Sequence, residues 1–128
     1  MPRSVSPVGS FRDPRDLLPL KPDVFLILTI LSEEARHGYG IMQAAEDWSG
    51  GGMEIQAGAL YRRLKWMMEE GLIQEVALVG PERVGPDRRR SYQVTSFGRR
   101  VAREEARRMG GLLAAAREAA LISGTEGA

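Results

Sequence analysis

The chain has 128 residues, a mass of 14.1 kDa, 43% apolar and 27% charged residues, and a net charge of +1. This length supports one modest hydrophobic core, so we expect a single domain with tails and no cleft between two large domains. Cysteine is absent, which excludes disulfides and thiolate chemistry, and the lone His37 cannot hold a metal by itself, so neither cofactor nor metal is expected.

The longest apolar run, residues 24–31, is far shorter than the roughly 20 residues that a membrane helix needs. The N-terminus also lacks the apolar run of a secretory signal. We therefore expect a cytoplasmic protein with no membrane contact. Charge is distributed unevenly, because residues 57–108 hold 12 Lys or Arg against 7 Asp or Glu, whereas the remainder holds 6 against 10. A basic middle of the chain favours a polyanionic partner.

The first elements are an arm and an apolar helix. Residues 1–20 contain four prolines among serine and glycine, which predicts a flexible N-terminal arm. Pro22 suits the first turn of a helix that we expect to end near Glu34. This helix is apolar on almost every face and must be covered on more than one side. A second subunit is one candidate cover, with Phe25 and Leu28 as predicted dimer contacts.

Two further helices follow a break at Gly38. The second is predicted over 39–48 and ends at the glycine run 49–52, which we interpret as a flexible turn because it lacks the Gly-Lys-Ser/Thr continuation of a phosphate loop. The third is predicted over 57–70, with an apolar stripe on one side. Its opposite face is basic and carries Arg62, Arg63 and Lys65.

A hairpin and a long helix complete the chain. Two strands are predicted over 72–79 and 89–95, joined by a loop rich in proline and glycine. Thr95 is an N-cap for a helix over 96–122, and residues 123–128 form a predicted disordered tail. Apolar and alanine positions recur on this helix every three to four residues, which favours pairing with a second copy. Its predicted dimer contacts are Val101, Met109, Leu112, Ala116 and Ala119.

Three helices followed by a hairpin predict a mainly α fold, a winged helix-turn-helix over 21–95 with a long C-terminal dimerisation helix. In such folds the third helix enters the major groove of DNA and the hairpin touches the neighbouring backbone. Arg62 and Lys65 would reach bases or phosphates. Gln56 is also a predicted DNA-binding residue. Three hairpin arginines suit phosphates because the guanidinium group donates two hydrogen bonds at once. These are Arg83, Arg88 and Arg89.

Three stretches resemble the PadR family of transcriptional regulators: "HGYGI", "GALYRRLKWMMEEGLI" and "RRRSYQVTSFGRRVAREEARR". They follow the order and spacing of that family over roughly 22–121. The resemblance implies a homodimeric winged-helix repressor with the last helix in the dimer interface. It also implies that Tyr39, Gly58 and Tyr61 lie near DNA. Because some members bind planar aromatic ligands, a small aromatic effector is a candidate partner.

The chain departs from the family pattern at three positions of the third helix. Ala57 stands where the family usually has proline, Ala59 where threonine is frequent, and Arg62 where proline is common. The loss of a hydroxyl and the gain of a charge predict a different operator sequence.

Two function hypotheses remain open. The first is a sequence-specific DNA-binding regulator, a homodimeric repressor that binds an inverted repeat and is released by a small-molecule effector. The alternative is a winged-helix module that binds a protein partner and has lost DNA contact, which the departures at Ala57 and Ala59 would permit. An enzyme is not expected, because the sequence has no paired carboxylates in an apolar setting and no metal-ligand spacing.

Overall fold

Four α-helices and a three-stranded antiparallel sheet form the fold in a computed structural model, which describes residues 12–77 and 90–123. This confirms the predicted fold class, because most of the described residues are helical and the sheet is small. The elements are α1 (Pro22–Glu33), β1 (Arg36–His37), α2 (Gly38–Trp48), α3 (Ala57–Glu69), β2 (Ile73–Val76), β3 (Ser91–Val94) and α4 (Ser96–Glu118).

The sheet has the strand order β1-β3-β2. The predicted hairpin is present, with Ile73 opposite Val94 and Val76 opposite Ser91. The sequence did not predict β1, which pairs with β3 on the other edge. A strand of two residues has no alternating pattern that the sequence could reveal.

Local signals explain where the helices begin and end. The Nδ1 atom of His37 accepts a hydrogen bond from the amide of Gly40 at 3.1 Å, so this histidine is the N-cap of α2. Thr95 is the N-cap of α4, because its hydroxyl accepts from the amide of Gly98 at 2.9 Å. Gly71 ends α3 with a φ of +77°, a left-handed conformation that glycine adopts without strain.

The core lies between the helices and one face of the sheet. α1 contributes five buried residues to it, and the predicted stripe of α3 is buried as expected, with Leu60, Leu64 and Met67 all inside. α4 crosses the start of β2 so closely that a Cβ at Gly98 would overlap the carbonyl of Leu72. The first turns of α4 are therefore fixed against the body of the protein.

The prediction of a flexible arm is wrong for residues 12–20, which we call the N-terminal segment. Pro14–Leu17 forms a 3₁₀ helix, and Leu20 is buried in the core. Arg12 donates to the carbonyl and the carboxylate of Glu70, both at 2.8 Å, and lies over the ring of Phe97. Proline-rich composition opposes regular helix and strand, but it does not prevent docking on a surface that offers apolar and charged partners. Residues 1–11 lie outside the described part of the chain.

A buried carboxylate fixes the other end of the N-terminal segment. Glu105 on α4 is only 1% exposed, and it accepts from the amide of Leu20 at 2.9 Å and from Arg108 at 2.6 and 3.0 Å. The hydrogen bond from Arg108 lowers the pKa of Glu105, helped by the Leu20 amide and the charge of Arg108 and opposed by burial. Glu105 is thus ionised, buried and fully partnered.

Two predicted dimer contacts are corrected by their burial. Leu28 and Val101 are both completely buried in the core of a single chain, so they cannot contact a second copy. Phe25 is partly buried and packs against the same core. The sequence showed that α1 is apolar all round, but it did not show that the chain itself supplies most of the cover. The other predicted dimer contacts are accessible to different degrees.

Within residues 12–77 and 90–123, no helix is both long enough and apolar enough to cross a membrane. The same residues contain no cluster of side chains that could hold a metal ion.

Candidate nucleic-acid interface

The outer face of α3 is accessible and carries the predicted base-reading residues. Gln56 precedes the helix, is exposed, and makes no capping hydrogen bond to it. Arg62 and Lys65 are also exposed, and Arg62 extends back along the helix so that its Nη1 atom lies 3.6 Å from the position of a Cβ at Gly58. The side chain of Arg62 therefore lies over the first turn of α3.

The N-terminus of α2 supplies a second polar edge. Tyr39 is 53% exposed, and its hydroxyl accepts a hydrogen bond from Nε2 of Gln43 at 3.2 Å. Gln43 is exposed as well and was not predicted as a site residue. Its position one helical turn after Tyr39 was the available signal, since residues four apart on a helix are neighbours.

Tyr61 joins these two helices. It is half-buried on α3, and its hydroxyl lies so close to Gly38 that a Cβ there would overlap it. The first residue of α2 is therefore in contact with the middle of α3. Tyr39 directly follows Gly38, so its backbone lies close to this contact.

Not every basic residue of α3 is directed outward. Arg63, which the sequence placed on the basic face, is half-buried and donates from Nε to Oδ2 of Asp23 at 2.7 Å. Lys65 lies 3.9 Å from Glu69, but both side chains are well exposed and such a pair is worth about 0–1 kcal/mol. Lys65 can therefore exchange this partner for a phosphate, whereas Arg63 is part of the fold.

The hairpin is only partly described. Its root contains Arg90, whose Nη1 lies 3.6 Å from the carboxylate of Glu75 on the neighbouring strand. Arg83, Arg88 and Arg89, the predicted phosphate contacts, lie outside the described residues, so their role stays a prediction.

Three helices, a short strand before α2 and a β2-β3 hairpin after α3 define a winged helix. The family model described as "Transcriptional regulator PadR-like family" matches residues 27–104. The chain belongs to this family and is a winged-helix transcriptional regulator. The match includes α2, α3 and the hairpin, so the candidate interface lies entirely within it.

Solved structures agree with this assignment. The chain is 26% identical to RosR of H. salinarum over 84% of this chain and 100% of that one, with a TM-score of 0.57. It is 27% identical to hsRosR-S4, which was solved as a complex; the match covers 86% of this chain and 100% of that one, with a TM-score of 0.60. A PadR-like transcriptional regulator from Bacillus cereus is 22% identical to this chain; the match covers 78% of this chain and 92% of that one, with a TM-score of 0.64. No curated protein matches the chain.

Proposed function

We propose that this regulator binds operator DNA sequence-specifically through α3. The observation that carries the proposal is the accessible outer face of α3, on which Arg62 and Lys65 are both exposed. Tyr39 at the start of α2 is exposed as well. In winged-helix proteins this face enters the major groove, where arginine to guanine is the commonest specific contact. Arg62 reads a base and Lys65 binds a phosphate. Gln56 lies at the edge of the same groove.

Backbone contacts orient this helix on the duplex. Tyr39 accepts from Gln43 and keeps its own hydroxyl proton for a phosphate oxygen. Tyr61 positions the two helices, and Gly58 lets the first turn of α3 approach the backbone closely. We assign Arg83, Arg88 and Arg89 to phosphates of the adjacent groove, where the hairpin of a winged helix lies.

The active form in this proposal is a homodimer on an inverted repeat. Two copies of α3 would then lie about 34 Å apart, one turn of DNA. The dimer acts as a repressor by occupying its operator, and a small-molecule effector releases it.

Selection of bound sequences from random duplex DNA tests the proposal directly. We expect an enriched inverted repeat, and anisotropy titrations on it should show affinity falling with salt at a log-log slope of roughly −0.9 per neutralised phosphate. Arg62→Ala should weaken binding and reduce preference at one base pair by about 1–3 kcal/mol. Lys65→Ala should weaken binding to all DNA sequences about equally.

Arg107→Ala is the matched control, because Arg107 is an exposed arginine of α4 that pairs with Glu104 and lies outside this face. It removes the same charge and should leave base preference unchanged. No enrichment, together with a flat salt dependence, would contradict DNA binding and would favour a winged helix that binds a protein partner.

A further inference from the structure

A cavity of about 310 Å³ lies between the N-terminal segment and α3. This volume is at the lower end of the roughly 300–1,000 Å³ of pockets that hold small organic ligands. Most of its wall is apolar and is formed by Leu17, Pro19, Leu20, Val24 and the indole of Trp66. A ligand with an apolar body would therefore remove hydrocarbon surface from water on both sides of the contact.

Two basic residues border the same cavity, Lys21 and Arg63. Arg63 is fixed by its 2.7 Å hydrogen bond to Asp23, which also balances its charge. Lys21 is exposed and has no carboxylate partner among residues 12–77 and 90–123. The lining thus keeps one positive charge beside an apolar floor, which suits a molecule with an apolar body and a single anionic group.

The cavity is physically connected to the proposed DNA-reading helix. Trp66 and Arg63 both belong to α3. Arg63 directly follows Arg62, and Trp66 directly follows Lys65, about one turn after Arg62. The opposite wall is the N-terminal segment, which is anchored by Glu105 at Leu20 and by the bonds of Arg12 to Glu70 at the end of α3. An occupant would touch both the anchored segment and the helix.

We propose that this cavity binds an amphipathic organic anion and that its occupancy weakens DNA binding. The effect of occupancy on DNA binding rests on the proposed function. An added negative charge next to Lys21 offsets positive potential close to α3, and phosphate binding depends on that potential. A carboxylate on an aliphatic chain and a carboxylate on a flat ring share the required chemistry, so both are tested.

Calorimetry with octanoate, its neutral match octanamide, and 2-naphthoate tests the binding site on the full chain. We expect at least one of the two anions to bind with a Kd below about 1 mM. The neutral amide and the Lys21→Gln variant should each bind about 2- to 5-fold more weakly, as an exposed ion pair predicts. The preferred anion shows whether the natural ligand has a chain or a ring.

The two tryptophans provide matched variants. Trp66→Leu should weaken binding at least about threefold through the loss of buried contact area. Trp48→Leu should not, because Trp48 lies on α2 over Arg36 and not in the cavity. In the Trp48→Leu protein, octanoate should shift the emission of Trp66 to shorter wavelength, a readout that does not depend on a change in stability.

Three results would overturn the site: no saturable binding up to about 10 mM, equal weakening by both tryptophan variants, or anion binding that disappears as the protein concentration rises. The last result would assign the cavity to a second copy of the chain.

Anisotropy titrations of DNA with and without the anion test the coupling, with equal sodium acetate as the control for ionic strength. We expect DNA affinity to fall about 2- to 5-fold, which corresponds to a modest coupling between sites, and DNA must weaken anion binding by the same factor. Binding of both ligands without mutual effect would disprove the coupling. Failure to bind DNA at all would remove the proposed function, while calorimetry would still decide the cavity.

Discussion

At the scale of single residues, the contact between Gly38 and Tyr61 couples the two helices of the candidate interface. A methyl group at Gly38 would overlap the Tyr61 hydroxyl and crowd its ring. Gly38→Ala should therefore lower the free energy of unfolding by about 1–3 kcal/mol, as overpacking does, and should also weaken DNA binding. Urea denaturation and anisotropy titrations measure the two effects.

Gly40 provides the control at the same end of α2. A Cβ there would meet its nearest neighbours at 3.6 Å, an ordinary contact distance, so Gly40→Ala should be neutral or stabilising. Tyr61→Phe removes the overlapping oxygen and should recover part of the loss when combined with Gly38→Ala. If the double variant showed no coupling, the Gly38–Tyr61 contact would not be the cause.

At the scale of elements, the helices could be predicted from the sequence because their signals are local. The stripe of α3, the Thr95 cap and Gly71 all lie inside or next to the element that they specify. The docking of the N-terminal segment could not be predicted, since it depends on Glu105, 85 residues away from Leu20. Composition alone made this segment resemble a linker.

The same reason explains which site residues the sequence identified. Helical periodicity places Arg62 and Lys65 on the outer face of α3, and they are exposed as predicted. Periodicity also placed Arg63 there, but Asp23, 40 residues earlier in the chain, holds it against α1. The apolar character of Leu28 and Val101 was clear, but only the packed fold shows which chain covers them.

The tether between α4 and the N-terminal segment predicts a pH dependence. The pKa of Glu105 is lowered in the folded protein. Its ionised form therefore stabilises the fold at pH values above the ordinary glutamate pKa of about 4.3. That contribution is lost as the pH falls through the lowered pKa. Glu105→Gln should cost about 1–3 kcal/mol at pH 7, and its deficit relative to the parent protein should shrink in acid.

Urea denaturation between pH 7 and pH 3 measures this effect. Glu104→Gln is the control. Glu104 is the neighbouring carboxylate on α4, is only partly buried, and forms its ion pair with the exposed Arg107. It should change stability by less than about 1 kcal/mol. Equal losses from both substitutions would show that the buried tether contributes nothing beyond surface charge.

At the scale of the whole molecule, α4 extends beyond the body that its first half helps to build. Its buried residues end at Glu105, although the helix continues to Glu118. Leu112 is 59% exposed, and Met109 and Ala116 lie on the same side at helical spacing. A helix segment that buries few of its residues is only marginally stable in water. A second copy packed along this side, including Ala119, would stabilise it.

We therefore expect the chain to sediment at twice its mass of 14.1 kDa, and Leu112→Glu to shift it to the monomer because the substitution places a charge in an apolar contact. Ala114→Glu adds the same charge on the opposite side of α4 and should leave the dimer intact. Since each monomer carries only one α3, the Leu112→Glu protein should also bind an inverted repeat no better than a single half-site. A parent protein that is monomeric at micromolar concentration, or a dimer that both variants disrupt equally, would contradict pairing along this face.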